Sequence, residues 1–170
     1  MGDKTQLLSL VLAARFRRPW PIIAGIFVAT VFNHAAAGAL GAWITNLAGP
    51  DVMRWVLGIS FLAMAVWTLI PDKLDDEDTK APRLGVFGAT VVAFFLAEMG
   101  DKTQIATVAL AARYDAIVGV VLGTTLGMML ANAPVVLLGD KVTKKVPIRV
   151  IHVIAAAIFA VLGVVALISG

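Results

Sequence analysis

Three ionisable side chains lie within five residues of one another in a strongly apolar part of the chain. Glu98, Asp101 and Lys102 follow the uncharged run 84–97. If that run is helical, Glu98 lies roughly 21 Å from its start, near the middle of a hydrocarbon core about 30 Å thick. Helical spacing would place Glu98 and Asp101 on one face with Lys102 within reach of Glu98, whereas Gly100 permits a close helix contact or a local break. A charge at such depth costs at least about 2.5–3.5 kcal/mol and therefore indicates a function or a specific pairing.

The side chains of this group are oxygen donors. Carboxylates, with the hydroxyl of Thr103 and the amide of Gln104, suit hard ions such as Ca²⁺, Mn²⁺ or Mg²⁺. Protons compete with a metal for the same carboxylate oxygens, which is the minimum chemistry of cation/proton exchange. The alternative is a salt bridge that clamps two helices together, but the acids outnumber the bases, and a pure clamp would balance them.

The group belongs to an internal repeat. The stretch Gly2-Asp3-Lys4-Thr5-Gln6 recurs 98 residues later at 100–104, and Leu12-Ala13-Ala14-Arg15 recurs as 110–113 in the same phase. Two complete copies of Glu, Asp and Lys would carry a net charge of −2, which one divalent ion or two protons would neutralise. The repeat partner of Glu98 falls just before Met1, so the net charge of the motif residues in this chain is −1. We expect a trimmed or mis-assigned start, the other explanation being divergence.

The candidate site residues follow from the two copies. The predicted metal ligands are oxygen donors, namely Asp3, Glu98 and Asp101 with Thr5, Gln6, Thr103 and Gln104. The two lysines, Lys4 and Lys102, would adjust the proton affinity of the acids or occupy the empty site. Asn132 and His34 occupy equivalent positions and suggest a second ring of ligands, or simply helix-to-helix hydrogen bonding and packing. We predict that Thr30, Thr124 and Thr125 bond to the backbone, and that the span glycines are close-packing positions (Gly25, Gly38, Gly41, Gly119, Gly123, Gly127 and Gly139).

The elements that must position these residues are membrane helices. Of the 170 residues 60% are hydrophobic and 15% are charged, and the mean hydropathy is +0.93, which argues against a water-soluble fold. No run alternates with the period of a strand, so the fold class is all-α and polytopic. Six transmembrane helices are predicted: a partial one at 2–14 and complete ones at 21–47, 54–70, 84–112, 116–138 and 148–168.

Each repeat contains three helices, so the second copy enters the membrane from the opposite side. The predicted division is a first repeat at 1–71 (truncated at its N-terminus), an acidic cytoplasmic linker at 72–83 and an inverted repeat at 84–170. Ten basic residues fall in the odd-numbered loops and two in the even-numbered loops. This places the odd loops in the cytoplasm and the C-terminus outside.

Composition also excludes several classes of function. With no cysteine there can be no disulfide, iron–sulfur cluster or thiolate metal site. The net charge of +3 does not indicate nucleic-acid binding, because the basic residues lie in short loops. We expect no enzymatic activity and no cofactor, only a transported ion, with the lipid bilayer as partner. A homo-oligomer is left open.

These motifs resemble a known family. Glu98-Met99-Gly100-Asp101-Lys102-Thr103 and Gly2-Asp3-Lys4-Thr5 are similar to the paired E-x-G-D-[KR]-[TS] motifs of the calcium/proton antiporter-2 family of membrane cation exporters. The resemblance covers essentially the whole chain. It implies that the motif acids bind Mn²⁺ or Ca²⁺ and exchange it for H⁺, here across a bacterial cytoplasmic membrane.

Three other functions remain open from the sequence. A divalent-cation channel could use the same acids, and a structural membrane protein could use the motifs as clamps. A small-solute exporter is a weaker option, because the site lacks the mixed apolar pocket expected for such a ligand.

Overall fold

The architecture is a bundle of helices. A computed structural model of the protein describes residues 4–47, 50–70, 84–114, 116–139 and 148–168. Within these ranges there are seven helices and no strand: α1 (Lys4–Phe16), α2 (Pro19–Leu47), α3 (Pro50–Thr68), α4 (Gly85–Glu98), α5 (Lys102–Arg113), α6 (Ile117–Leu138) and α7 (Ile148–Ile168). The predicted linker at 72–83 and Asp3 lie outside the described residues.

Among the described helices, three are long and apolar enough to cross a bilayer. They are Pro19–Leu47, Asp51–Thr68 and Ile117–Leu138, and two shorter apolar stretches, Gly85–Glu98 and His152–Ile168, accompany them. Large apolar side chains cover the outside of the bundle, such as Leu130 at 77% exposure and Val118 at 72%. Such a surface is stable against lipid and not against water. The protein is therefore a polytopic all-helical membrane protein, as the composition predicts.

The single helix predicted at 84–112 is wrong. The chain leaves the helical conformation after Glu98, passes through Met99 (ψ 119°) and Gly100 (φ +73°), and starts a new helix at Lys102. Glycine adopts a positive φ at little steric cost, so Gly100 is the residue that allows the break. The helical spacing predicted for Glu98, Asp101 and Lys102 is also wrong for this reason. The sequence allows Gly100 either a close helix contact or a local break, and the structure shows the local break.

The helices follow the phase of the sequence repeat. Lys4, Pro19 and Pro50 begin α1, α2 and α3, and the residues 98 positions later, Lys102, Ile117 and Ile148, begin α5, α6 and α7. The packing follows the same repeat. Helix α1 lies against α6, and its counterpart α5 lies against α2. Two further contacts join helices that are counterparts of each other, α2 with α6 and α3 with α7. Phe61 stacks on its own repeat partner Phe159 with ring centroids 6.3 Å apart, as residues beside a local twofold axis do. Insertion of the two halves from opposite sides stays a prediction.

Two hydrophobic clusters hold the bundle together. One joins α1, α2, α4 and α6 around Leu8, Ile26 and Phe94, and the other joins α3, α5 and α7 around Phe61. Phe61 and Phe94 are fully buried. The first cluster includes Ala97, so the residue beside Glu98 is part of the packed interior.

Close helix crossings occur at only some of the predicted glycines. A Cβ atom at Gly41 would overlap the Val108 carbonyl oxygen of α5, and one at Gly25 would lie 2.7 Å from Thr90 Cβ of α4. Gly38 is also tight, with Ile117 Cγ2 at 3.2 Å. Among the described residues no close crossing is found at Gly119, Gly123, Gly127 or Gly139. A Cβ at Gly119 would make only an ordinary contact, and no described residue comes within 4 Å of the Cβ positions of the other three.

We expect Gly41→Ala to destabilise the bundle, because the added methyl group meets backbone that cannot rotate away. Overpacking of this kind costs about 1–3 kcal/mol, which corresponds to a fall in Tm of roughly 3–10 °C in a chain of this size. Thermal unfolding of the purified protein in detergent measures the effect. Gly119→Ala is the matched control and should leave Tm unchanged or slightly raised, since alanine favours helix. An unchanged Tm for Gly41→Ala would contradict the close crossing of α2 and α5.

Candidate cation site at the helix break

Glu98 is the last residue of α4 and is fully buried. Thr30 Oγ1 of α2 donates a hydrogen bond to Glu98 Oε1 over 3.0 Å, and Asn33 Nδ2 donates to Glu98 Oε2 over 3.2 Å. Asn33 Nδ2 also donates to the Phe95 carbonyl oxygen at 3.2 Å. Both carboxylate oxygens are thus held by α2, inside the bundle and at the point where α4 stops. We call Glu98, Thr30 and Asn33 the Glu98 site.

Asp101 occupies the N-cap position of α5, the second half of the broken helix, but its side chain makes no capping hydrogen bond to that helix. It is 8% exposed and stands at the N-cap of α5, where a negative charge is stabilised by the free N–H groups of the first turn. Thr103 Oγ1 donates to Asp101 Oδ2 over 3.0 Å, and the Gly100 N–H donates to Gln104 Oε1 over 2.7 Å. Two of the predicted ligands, Thr103 and Gln104, therefore brace the break that presents Asp101.

Lys102 is directed towards α3. It begins α5, is 9% exposed, and donates from Nζ to the Ile70 carbonyl oxygen just beyond α3. Its Nζ also lies 5.7 Å from the centre of the Trp67 ring, within the range of a cation–π interaction. The first residue after the break is thereby tied to the bundle half formed by α3 and α7.

The first copy of the motif faces α6. Thr5 is fully buried on α1 and donates to Met128 Sδ over 3.6 Å, and Ser9 Oγ donates to Asn132 Oδ1 over 2.9 Å. Lys4 and Gln6 are half-buried beside them. Asp3, the first-copy acid, lies outside the described residues, so its meeting with Asp101 stays a prediction.

The two candidates for a second ligand ring are both buried. Asn132 donates to the Met128 carbonyl oxygen at 3.0 Å and accepts from Ser9, so its side chain joins α1 to α6. His34 is 1% exposed, and neither ring nitrogen has a hydrogen-bond partner among the described residues. The hydrogen bonds of Asn132 are those expected if its side chain serves in helix-to-helix packing. His34 carries an unused donor and acceptor directly after Asn33.

The described residues supply two acids near the break, Glu98 and Asp101. Within the part of the chain that the structure describes, no three His, Asp or Glu side chains form a ready metal-binding group. The full ligand set, with oxygens from both motif copies, therefore stays a prediction.

Comparison with known proteins decides the family. The profile of a family described as "Divalent cation/proton antiporter GDT1" matches residues 1–76 and 86–170, nearly the whole chain. The chain belongs to the GDT1 family. A Vibrio cholerae relative named "Putative manganese exporter" is 54% identical over 164 residues, which are 96% of this chain and 82% of the relative.

More distant GDT1 relatives come from photosynthetic organisms. GDT1-like protein sll0615 of Synechocystis is 28% identical over 190 residues (97% of this chain, 89% of the relative). GDT1-like protein 5 of Arabidopsis thaliana is 25% identical over 207 residues (99% of this chain, 90% of the relative). No solved structure matches the chain. Membership of GDT1 agrees with the resemblance drawn from the paired motifs, and it makes the protein a membrane cation transporter.

Sequence reasoning missed the hydrogen-bond donors to Glu98. The backbone bond predicted for Thr30 is wrong, because its hydroxyl donates to the Glu98 carboxylate on another helix. Asn33 is not among the predicted site residues, yet its amide donates to the second oxygen of the same carboxylate. The repeat does not point to either residue, because their partners 98 positions later are the apolar Met128 and Ala131. The signal that could have found them is a Thr and an Asn three residues apart in the apolar middle of α2. For Thr124 the backbone bond is confirmed, since its hydroxyl donates to the Val120 carbonyl oxygen at 2.8 Å. For Thr125 the prediction is wrong, because its buried Oγ1 has no hydrogen-bond partner among the described residues.

We expect Asn33→Ala to destabilise the protein, because it removes the donor to Glu98 Oε2 inside the bundle. Loss of one partner of a buried polar group costs about 1–3 kcal/mol. Asn46→Ala is the matched control: Asn46 is exposed on the same helix, and a surface change of this kind stays within about 0.5 kcal/mol. Thermal unfolding in detergent compares the two variants, and equal Tm values would contradict the hydrogen bond.

Proposed function

We propose that this membrane transporter exports a divalent cation, with Mn²⁺ preferred over Ca²⁺, in exchange for protons. The observation that carries the proposal is the complete burial of Glu98 at the break between α4 and α5. In transporters, ion sites are often formed by discontinuous helices whose unwound backbone and half-helix ends face the ion. The name of the Vibrio cholerae relative supports manganese, and the family description supports antiport with protons.

The oxygen chemistry of the break supports a hard divalent ion. The two acids, Glu98 and Asp101, stand on either side of the unwound residues, and the hydroxyl of Thr30 adjoins one of them. Carboxylate, hydroxyl and carbonyl oxygens are the ligands that Mn²⁺ and Ca²⁺ prefer. The remaining predicted ligands, Asp3, Thr5, Gln6, Thr103 and Gln104, would complete the shell from both motif copies.

Coupling to protons follows from competition for the same oxygens. A divalent cation and protons compete for the carboxylate oxygens of Glu98 and Asp101, so binding of one disfavours binding of the other. Rocking of one repeat against the other would then expose the occupied site to each side in turn. Lys102 and Lys4 would adjust the proton affinity of the acids or occupy the empty site. In an exchange the two ions move in opposite directions, so an inward proton gradient drives the metal out of the cell.

Purified protein in vesicles tests the proposal. With an acidic lumen and a neutral exterior, we expect the vesicles to accumulate Mn²⁺ above its external concentration, and Ca²⁺ less strongly. A protonophore should abolish the accumulation. Flux that runs only downhill and ignores the pH gradient would instead identify a divalent-cation channel. If Asp101→Asn loses assembly while assembled protein still carries Mn²⁺ at the full rate, the motif is a structural clamp.

A further inference from the structure

His34 is a buried histidine whose ring makes no hydrogen bond within the part of the chain that the structure describes. The side chain is 1% exposed, and both Nδ1 and Nε2 lie inside the bundle without a partner there. A buried polar group normally bonds to protein, to water or to an ion. His34 therefore presents two nitrogen atoms to the interior that the packing of the described residues does not use.

The counterpart of His34 in the other half of the chain is used for packing. Asn132, 98 positions later, accepts a hydrogen bond from Ser9 Oγ of α1 over 2.9 Å. The counterpart of Ser9 is Thr107 of α5, and α5 lies against α2 as α1 lies against α6. The Thr107 hydroxyl is buried, but it donates to the Thr103 carbonyl oxygen of its own helix over 2.7 Å. In the described part of the chain, His34 thus does not make the helix-to-helix bond that Asn132 makes.

His34 stands on the turn of α2 that holds Glu98. It directly follows Asn33, the donor to Glu98 Oε2, and comes four residues after Thr30, the donor to Oε1. Residues four apart on a helix share a face, with Cβ atoms about 5–6 Å apart, and helical side chains lean towards the N-terminal end. The imidazole therefore leans towards Thr30, and with it towards the carboxylate of the Glu98 site.

A nitrogen ligand at this place would supply a discrimination that the oxygens lack. Glu98 and Asp101 offer the negative charge that any divalent ion needs, so they do not by themselves favour Mn²⁺ over Ca²⁺. Ca²⁺ takes oxygen ligands, whereas imidazole binds transition-metal ions. Carboxylates and histidines on facing helices hold iron or manganese in the core of other helix bundles.

We propose that His34 is a nitrogen ligand of the transported cation and gives the site its preference for divalent transition-metal ions such as Mn²⁺ over Ca²⁺. The inference rests on the proposed function, because it takes Glu98 as a ligand of the same ion. Asn132 has no such role, since its side chain joins α1 to α6. The two halves of the chain then contribute differently, and the imidazole comes from the half that packs on Glu98.

Transport by the variant His34→Asn tests the selectivity. Asparagine is the residue at the equivalent position of α6, and it offers an amide oxygen in place of the ring nitrogen. In vesicles we expect the KM for Mn²⁺ to rise at least about tenfold, because even the loss of a group that only supports a metal ligand weakens binding by about 10–100-fold. The KM for Ca²⁺ should change little. His152→Asn is the matched control: His152 is the other histidine of the chain, half-buried on α7, and both KM values should stay as they are.

Pulsed electron paramagnetic resonance of Mn²⁺ bound to the purified protein tests the ligand directly. A coordinated imidazole couples its nitrogen nucleus to the electron spins of Mn²⁺, and the coupling changes when the histidines are labelled with ¹⁵N. We expect this signal in the unmodified chain and in His152→Asn, and its loss in His34→Asn. The unmodified chain carries no substitution, so this measurement does not depend on the folding of a variant.

The possible results separate this inference from the proposed function. Bound Mn²⁺ without a histidine coupling in the unmodified chain would remove His34 from the ligands. An unchanged preference for Mn²⁺ over Ca²⁺ in His34→Asn, or equal losses for both ions, would also overturn the inference, while Mn²⁺ accumulation by the unmodified chain keeps the proposed function. If the unmodified chain accumulates neither ion, the proposed function fails and the inference fails with it.

Discussion

Replacement of Glu98 by glutamine is expected to abolish cation transport while the protein still folds. Glutamine keeps the size of the side chain and one acceptor oxygen, so Thr30 or Asn33 retains a partner. It removes the negative charge and places an N–H donor where the carboxylate had its second acceptor. Loss of one partner of a buried ionic contact costs about 3–5 kcal/mol, so the affinity for a divalent ion should fall by more than about 100-fold.

Mn²⁺ accumulation in vesicles measures the effect, together with relief of manganese toxicity in cells that lack their own exporter. Asp51→Asn is the matched control, because Asp51 is an exposed acid in the first turn of α3. That variant should transport like the original chain. Full transport by Glu98→Gln would remove Glu98 from the cation path and with it the proposed site.

Much of the fold could be predicted because the membrane limits what a chain can do. Backbone groups in lipid must bond to one another, so each apolar run had to be a helix. The end of α2 at Leu47 and both ends of α7 fall where the sequence indicates. The break at Gly100 could not be fixed in the same way, because a glycine in an apolar run is compatible with a continuous helix. Glu98 and Lys102, on either side of the break, make contacts with α2 and Ile70 that the periodicity of the sequence does not encode.

The charged residues of the candidate site could be predicted from the sequence. The cost of a buried carboxylate points to Glu98 and Asp101, and both are buried. Their partners are neutral and were undervalued, because Thr30 and Asn33 have apolar counterparts in the other repeat. The repeat identifies what the two halves share. It does not identify residues that are present in only one half. The hydrogen-bond donors to Glu98, Thr30 and Asn33, are residues of that type.

The two halves of the broken helix are held by different parts of the bundle. Glu98 at the end of α4 is bonded to α2, whereas Lys102 at the start of α5 is bonded to the end of α3. A relative movement of these parts would change the separation of Glu98 and Asp101. Met99 and Gly100 lie between the two acids and are where such a movement would be absorbed, and Gly100 is the more permissive of the two.

Gly100→Val is therefore expected to lower transport by at least about tenfold, since catalytic and binding groups tolerate displacements of only fractions of an ångström. A branched side chain disfavours the positive φ of Gly100 by roughly 1–2 kcal/mol, and the strain is relieved by moving the chain between the two acids. No described residue lies within 4 Å of the added Cβ, so the effect is on the backbone and not on packing.

Gly85→Val is a closely matched control for this variant. Gly85 has φ +71° against +73° at Gly100, and its added Cβ also has no described neighbour within 4 Å. Both variants should lose similar stability in thermal unfolding, but Gly85 begins α4 at the end remote from Glu98. Mn²⁺ uptake should therefore fall for Gly100→Val and be largely preserved for Gly85→Val. An equal fall in both variants would mean that transport follows stability alone, and that the geometry of the break has no separate role.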